Sequence, residues 1–289
     1  MIIFSLIHLA PGDPVNLMTS EDATEIQKAI VREKYGLDKS KPEQYIIWIS
    51  RVVRGDLGDS FYFQSTNWNL IKERLPLTAL LAFSAFGLSL IVAIPLGLIA
   101  GVRKGSKIDV VAMLFALLGQ ALSPVWIGLV LILIISVQWG ALPSMGYGNL
   151  KHLIMPSITL GLPMAALVTR LLRSNMIEVL QEDYITSTYA KGCKPWKVYF
   201  KYAMKNAIIP VITVSGIQLA TYLGGAVTTE QIFGWPGLGS LTIQAINSRD
   251  YTLVQAIILV TSFMLVFINL LVDILYTIVD PRLDFNEMG

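Results

Sequence analysis

The chain is predicted to be an all-α integral membrane protein with six transmembrane helices, the first of them truncated. Of its 289 residues, 54% are hydrophobic and 15% are charged, against about 45–50% and about 25% in soluble domains. About 20 apolar residues suffice for a membrane-crossing helix. Five stretches without Asp, Glu, Lys, Arg or His, of 26, 28, 17, 23 and 22 residues, lie at 77–102, 110–137, 153–169, 207–229 and 251–272.

The first ten residues are apolar but too short for a complete span. As a helix, 1–10 would measure roughly 15 Å, about half of a bilayer crossing. No basic region or small-residue cleavage site typical of a signal peptide is present. We therefore interpret 1–10 as the outer half of a first membrane helix whose beginning lies upstream. Pro11, Gly12 and Pro14 would end it.

The next segment, 11–76, is predicted to be an extracytoplasmic loop with short helices. Helical spacing of apolar residues covers 21–35 and 44–53, and an amphipathic approach to the membrane covers 68–74. We expect these pieces to form a small cap over the outer mouth of the membrane core.

The membrane core is predicted to extend over 77–279, with a short tail at 280–289. Ser123 and Pro124 bisect the stretch 110–137, which is therefore either one kinked helix or two shorter pieces. We favour one kinked helix, because a split would reverse the sidedness of the loops that follow.

Basic residues concentrate in two connectors. The segment 103–109 has three basic residues and one acidic residue, and 170–206 has seven and three. The connectors 138–152 and 230–250 carry far fewer. By the positive-inside rule, the two basic connectors face the cytoplasm. Alternation then places 11–76 and both weakly charged connectors outside, and both chain termini inside.

The charge pattern also excludes functions. Net charge is only +2, which does not indicate a nucleic-acid partner. The single cysteine, Cys193, excludes an internal disulfide, and two histidines, His8 and His152, are too few for the usual metal site. The centres of the spans lack ionisable residues, which disfavours an ion-coupled secondary carrier. No catalytic motif supports a membrane enzyme, and no phosphate-binding loop is present, so any ATP would bind to another chain.

A lysine-rich loop at 178–206 separates two apolar stretches. We expect Asp183 to cap a short helix through Lys191, and Gly192 to take the left-handed position that ends it. Pro195 would start a second helix. The apolar stripe of this second helix would comprise Trp196, Tyr199, Phe200 and Ala203. A passive surface connector and a protruding docking corner both fit this pattern.

A second motif lies in the connector 230–250. Three glycines and a proline within 234–239 interrupt any helix, and Phe233 and Trp235 suit the outer membrane interface. A re-entrant turn at the interface would be sufficient to explain it. A third motif, Asp280-Pro281-Arg282, follows the last span.

The three motifs resemble those of inner-membrane permease subunits of ATP-driven importers, in the dipeptide, oligopeptide and nickel family. The loop of that family carries Glu-Ala-Ala, then Gly, then Pro. Gly192 and Pro210 match the glycine and proline. Thr186, Ser187 and Thr188 occupy the Glu-Ala-Ala positions, and Lys191 replaces a frequent acidic residue. The resemblance covers 9–283.

This resemblance implies a type I ABC importer permease fold in a prokaryotic inner membrane. The loop 178–206 would be the coupling loop that docks on an ATPase, through Thr186, Ser187, Thr188, Lys191, Gly192, Cys193, Pro195 and Pro210. The connector 230–250 would lie beside the translocation path, through Glu230, Phe233, Trp235, Pro236, Gly237 and Gly239.

The resemblance also implies partners and cargo. A second, usually non-identical permease would complete the pathway, and two ATPase subunits would use ATP and Mg²⁺. An extracytoplasmic binding protein would deliver the solute, and the cap at 11–76 is a candidate for its docking surface. The expected solute is a di- or oligopeptide, with nickel or a metal chelate as the alternative.

Overall fold

The computed structural model describes residues 24–26, 28, 29 and 38–279. The predicted half-span at 1–10 and the tail at 280–289, with its Asp-Pro-Arg motif, lie outside the described residues. So does most of the predicted helix at 21–35.

The predicted helix at 44–53 is confirmed and begins three residues earlier, as α1 (Lys41–Val53). Its start is fixed by a reciprocal capping box, in which the Ser40 amide donates to a Glu43 carboxylate oxygen at 3.1 Å. A hairpin of two-residue antiparallel strands follows, β1 (Asp59–Ser60) and β2 (Ser65–Thr66).

Asp250 attaches this hairpin to the last long helix. Its buried carboxylate accepts hydrogen bonds from the Ser60 hydroxyl, the Tyr62 amide and the Leu253 amide. The Thr252 hydroxyl donates to the same carboxylate at 2.9 Å. Residues about 190 positions apart in the chain are thereby held together.

The first complete span is longer than predicted. Helix α2 (Asn67–Val102) has 36 residues and a length of about 54 Å, well beyond the ~30 Å hydrocarbon core. The predicted approach at 68–74 and the predicted span at 77–102 are therefore one helix. It starts at the hairpin, where the Thr66 side chain accepts from the Asn69 amide.

The prediction of a single kinked helix at 110–137 is wrong. The structure has α3 (Lys107–Ala121) and α4 (Pro124–Leu131), the latter continued by a π-helical segment, and the two halves are bent by 102°. Pro124 has no amide to donate and forces extended backbone on Ser123, which caps the new helix through the Val125 amide. Each half is about 22 Å long, so together they supply one crossing at most.

Helix α5 (Leu150–Val179) is the centre of the fold. It packs along α2 at sites where glycine allows close approach: a Cβ on Gly161 would lie 2.7 Å from the Ala85 carbonyl oxygen, and one on Gly97 would lie 2.9 Å from Leu172. Small residues at helix contacts are the usual means of close packing within a membrane.

Three short helices in the lysine-rich loop and four helices after it complete the described part of the chain. Helices α6 (Asp183–Ala190), α7 (Pro195–Lys197) and α8 (Met204–Ala207) lie in the lysine-rich loop, and a π-helical segment (Val198–Ala203) joins α7 to α8. They are followed by α9 (Ile209–Leu223), α10 (Val227–Phe233), α11 (Leu238–Asn247) and α12 (Tyr251–Val279).

The described helices agree with the five predicted spans. Helices α2, α5 and α12 are individually long and apolar enough to cross a membrane. Two bent pairs, α3 with α4 and Pro195–Ala207 with α9, pass the same test as pairs. We call the end of the bundle with 103–109 and 178–206 the basic end. The other end of α5, some 45 Å away, is the far end.

Candidate functional site: the basic loop and the glycine turn

The predicted corner at Gly192 is confirmed in its geometry. Helix α6 ends at Ala190, and Gly192 has φ +77°, in the left-handed region that favours glycine. Its amide donates to the Tyr189 carbonyl at 2.9 Å. No atom lies within 4 Å of the position that a Cβ would take. The corner therefore projects freely from the described part of the chain.

The predicted cap at Asp183 is wrong by one residue. Helix α6 begins at Asp183, and Glu182 occupies the N-cap position without a side-chain cap hydrogen bond. Asp183 still lies in the first helical turn, where a negative charge is favoured by the helix dipole. Pro195 starts the second helix as predicted, and Pro210 lies in the first turn of α9.

The loop is anchored to the bundle by buried apolar side chains. Ile185 of α6 and Val198 of the second helix are 1% and 0% exposed, in one cluster with Leu172 and Met176 of α5. A hydrogen bond of 2.8 Å from the Asn206 amide group to the Tyr184 hydroxyl joins the two arms of the loop. These contacts attach both arms of the loop to the end of α5.

The apolar stripe predicted for the second helix is not its buried face. Its buried positions are Val198, Ala203 and Ala207, whereas Trp196 and Phe200 are 58% and 62% exposed. Only Ala203 of the predicted stripe is fully buried. Small residues pack against α5 because the helix approaches it closely, and the large rings are left outside.

The other predicted coupling residues lie on the surface of this loop. Thr186, Ser187, Lys191 and Pro195 are exposed, and Thr188 and Cys193 are partly buried. The Thr188 hydroxyl donates to the Tyr184 carbonyl at 2.7 Å, within its own helix. The exposed residues of this set lie within six positions of Gly192 along the chain.

An ion pair that the sequence did not predict lies beside the loop. Arg173 donates from Nε and Nη2 to the two carboxylate oxygens of Asp109, at 2.5 and 2.8 Å. Asp109 is 3% exposed and also accepts from the Gly105 amide at 2.8 Å. The pair joins the start of α3 to the last turns of α5 across 64 residues of sequence. Nothing in the sequence linked these two charges.

At the far end, Glu230 is the centre of a buried polar cluster. It is 0% exposed. One carboxylate oxygen accepts from the Thr78 hydroxyl and the other from the Ser240 amide, both at 2.8 Å. Glu230 lies in the short helix α10, between spans. Burial raises the pKa of this carboxyl above its ordinary value, and the hydrogen bonds from Ser240, Thr78 and Gly239 oppose that shift.

The glycine turn, residues 230–240, is shaped around this carboxylate. Gly234 ends α10 with φ +58°. A Cβ on Gly237 would lie 2.2 Å from a Glu230 carboxylate oxygen, and one on Gly239 would lie 3.0 Å from the other. The predicted interruption of the helix is confirmed, and the helix resumes at Leu238, whose amide donates to the Thr78 hydroxyl oxygen at 2.7 Å.

The two aromatic residues of the turn, which were predicted to suit the outer membrane interface, are buried within the chain. Phe233 and Trp235 are 2% and 1% exposed. The Trp235 indole donates to the Leu77 carbonyl at 3.0 Å, and its ring meets Tyr147 edge-on at 5.2 Å. The Trp235 side chain is in one buried cluster with Leu81 and Ala85 of α2, whereas the Phe233 ring lies beside Gly128 of α4.

The turn is also tied to the connector before α5. The Gly146 amide donates to the Phe233 carbonyl at 2.7 Å. Glu230, Phe233, Trp235, Gly237 and Gly239 lie together in this turn, with Pro236 partly exposed beside them. The partner residues Thr78 and Ser240 were missed, since hydroxyl residues in apolar stretches give no distinct signal.

Comparison with known proteins identifies the family. The model for binding-protein-dependent transport system inner membrane components matches residues 93–285, and the model for the N-terminal part of such components matches residues 1–82. The chain belongs to this family. The confirmed corner at Gly192 and the turn at Glu230 both lie within the first of these matches.

Relatives of known name extend along nearly the whole chain. The oligopeptide transport system permease protein AppB of Bacillus subtilis is 38% identical over 296 residues, covering 99% of this chain and 94% of the relative. The dipeptide transport system permease protein DppB of Escherichia coli is 36% identical over 315 residues, covering 98% and 93%.

A solved structure supports the fold. A chain of the MetNI methionine ABC transporter in an inward-facing conformation matches with a TM-score of 0.60 at 17% identity, covering 73% of this chain and 96% of that chain. The type I ABC importer permease fold expected from the motifs is therefore confirmed.

Proposed function

We propose that the chain is the permease subunit of an ATP-driven importer for di- and oligopeptides. The observation that carries this proposal is the identity of 36–38%, over nearly the full length of both chains, with dipeptide and oligopeptide permeases. Import of nickel or a metal chelate is the alternative within the same family. The absence of ionisable residues from the centres of the predicted spans argues against an ion-coupled carrier.

The proposed orientation places the basic end in the cytoplasm. Five exposed lysines of the loop and the basic connector at 103–109 support this orientation through the positive-inside rule. Two ATPase subunits would bind ATP and Mg²⁺ on that side, and the corner at Gly192 would enter a groove on one of them. A second permease would complete the pathway, and a binding protein would deliver the peptide at the far end.

The contacts of the loop indicate how force would reach the pathway. Closure of the ATPase dimer would displace the corner at Gly192, and buried Ile185 and Val198 would carry the displacement to the end of α5. The Asp109–Arg173 pair would move α3 together with α5. Helix α5 leads over about 45 Å to the connector that is bonded to the glycine turn.

We assign the glycine turn a shaping role beside the pathway. Buried Glu230, Phe233 and Trp235 have no free surface with which to touch a solute within this conformation of the chain. Their role would be to hold the backbone of the turn in place. The exposed backbone at Gly234 and the partly exposed Pro236 are the positions of the turn that could face the pathway.

Uptake by the reconstituted transporter tests the substrate. Proteoliposomes with both permeases, both ATPases and the cognate binding protein should accumulate a labelled dipeptide or pentapeptide only with ATP. Nickel ions or a nickel chelate should neither compete nor accumulate. Nickel-dependent uptake without peptide uptake would favour the alternative, and tight ATP binding by this chain alone would contradict the permease assignment.

A substitution at the corner tests the coupling role. Gly192→Val should abolish transport and ATPase stimulation, because the left-handed backbone is strained by about 1 kcal/mol or more and the added bulk meets the partner. Membrane insertion and peptide capture by the binding protein should persist. Gly55→Val is the matched control, since Gly55 also has positive φ and open surroundings but lies far from the loop. Normal transport by Gly192→Val would make the loop a passive connector.

A further inference from the structure

Two large aromatic side chains of the lysine-rich loop at 178–206 do not pack into the fold. Both lie on the second helical stretch of this loop, Pro195–Ala207. Trp196 and Phe200 are four residues apart and more than half exposed, while Val198 and Ala203 on the neighbouring face are completely buried. The helix therefore has one apolar face against the bundle and a second one directed away from it. Two exposed rings on one face favour a contact that removes them from water.

Lysines flank the exposed rings. Lys194, Lys197, Lys201 and Lys205 are all exposed on the same segment. The Lys197 ammonium lies 5.9 Å from the centre of the Trp196 ring, and that of Lys201 lies 5.9 Å from the Tyr202 ring. Between Lys194 and Lys205 the sequence holds no Asp or Glu. The exposed face thus combines aromatic rings with unbalanced positive charge.

The position of this helix relates it to the bilayer. The segment Pro195–Ala207 continues into α9 after a bend of 53°, and the two together are apolar enough to be one membrane span. Because this segment is the basic-end part of one bent span, we expect it at the depth of the lipid headgroups. Tryptophan and flanking lysines are enriched at that depth, and basic residues there attract anionic lipid.

We propose that this face, comprising Trp196, Phe200, Lys197, Lys201 and Lys205, binds anionic phospholipid. The rings enter the boundary between headgroups and acyl chains, and the ammonium groups contact the headgroup phosphates. The proposal rests on the cytoplasmic orientation of the basic end given under the proposed function. The loop would then have two contact surfaces: the corner at Gly192 for the ATPase, and the second helix for the membrane.

Spin labels in the assembled transporter test where the face lies. In a Cys193→Ser background, which removes the single native cysteine, a nitroxide is placed by Phe200→Cys, and separately by Ser187→Cys on α6 as the control. Nanodiscs contain phosphatidylcholine with or without phosphatidylglycerol, and the permeases are measured with and without ATPase subunits.

The label at 200 should be relaxed by oxygen and protected from a water-soluble nickel chelate, with or without the ATPase. The label at 187 should be accessible to the chelate until the ATPase binds. Protection of the label at 200 from both agents only when the ATPase is present would make the face an ATPase contact. Free access of the chelate to the label at 200 in all preparations would overturn the proposal.

Lipid retention gives a second readout that is independent of transport. The triple variant Lys197→Gln, Lys201→Gln, Lys205→Gln should bind phosphatidylglycerol at least roughly tenfold more weakly in lipid titrations of the purified complex. Inorganic phosphate should not compete, because the site needs the acyl boundary as well as the charge. Lys151→Gln at the far end is the control and should leave the affinity unchanged. Equal phosphatidylglycerol affinity of the triple variant and the wild type would overturn the proposal even if peptide transport were fully confirmed.

Discussion

Gly192 in the basic loop and Gly237 in the glycine turn are required for opposite reasons. At Gly192 the backbone has φ +77° and no atom lies within 4 Å of a Cβ position. At Gly237 the φ of −100° suits any residue, but a Cβ would lie 2.2 Å from Glu230. The first glycine provides a conformation, and the second provides space.

The same difference holds for the charged groups near each glycine. The lysines around Gly192 are exposed and unpaired with acidic groups of the described chain, so they are available to other molecules. Glu230 has its hydrogen bonds satisfied within the chain, by Thr78 and Ser240. The glycine turn, whose polar groups are hydrogen-bonded within the chain, is suited to a structural role. The loop around Gly192, whose charged groups are exposed, is suited to contact with other molecules. We expect mutations to separate these two roles.

The largest expected effect is that of Gly237→Ala. The new methyl group cannot coexist with the Glu230 carboxylate, and displacing a buried carboxylate from its donors should cost about 3 kcal/mol or more. Thermal unfolding of the purified permease measures this loss. Gly87→Ala is the control, because a Cβ at that position of α2 meets no atom within 4 Å. Equal unfolding temperatures for the two variants would contradict the packing at Gly237.

Thr78→Val should have the next largest effect. The Thr78 hydroxyl donates to Glu230 and accepts from the Leu238 amide, so a valine of similar shape removes both bonds and leaves buried groups unsatisfied. The expected cost is about 1–3 kcal/mol, again by thermal unfolding. Thr221→Val is the control, since that hydroxyl is exposed and donates only to its own helix. Equal unfolding temperatures for Thr78→Val and this control would mean that the Glu230 cluster contributes little to stability.

Asp109→Asn tests whether the basic end also contains an internally satisfied element. It leaves the partly exposed Arg173 without its carboxylate, at a cost of about 1–2 kcal/mol. The double variant Asp109→Asn, Arg173→Gln should recover part of the loss, because the isolated charge is gone. If the double variant is as unstable as the sum of the single ones, the two residues do not act as a pair.

The smallest effect on stability is expected for Gly192→Ala, about 1 kcal/mol, from the left-handed backbone alone. Gly192→Asn should cost less, because asparagine tolerates that conformation better. Thermal unfolding of both variants, with the unsubstituted chain as reference, checks the order. A loss at Gly192→Ala as large as that at Gly237→Ala would mean that the corner is packed and not open.

Local chemistry explains which predictions succeeded. The five charge-free stretches were recognisable because a bilayer excludes charge over a fixed length of helix. Gly192 and Pro195 defined their turn because glycine and proline restrict the backbone whatever surrounds them. The break near Pro124 was visible for the same reason, but its angle of 102° was not, since proline permits both a kink and a new helix.

The sequence by itself determined the membrane class, the spans and the corner of the basic loop, because those depend on residue type and spacing along the chain. Only the tertiary structure decided that Glu230 meets Thr78, that Asp109 pairs with Arg173, and that the second helix of the loop directs its rings outward. Each of these depends on which helix lies opposite and how closely it approaches. No single stretch of sequence contains both sides of such a contact, so the sequence alone did not reveal it.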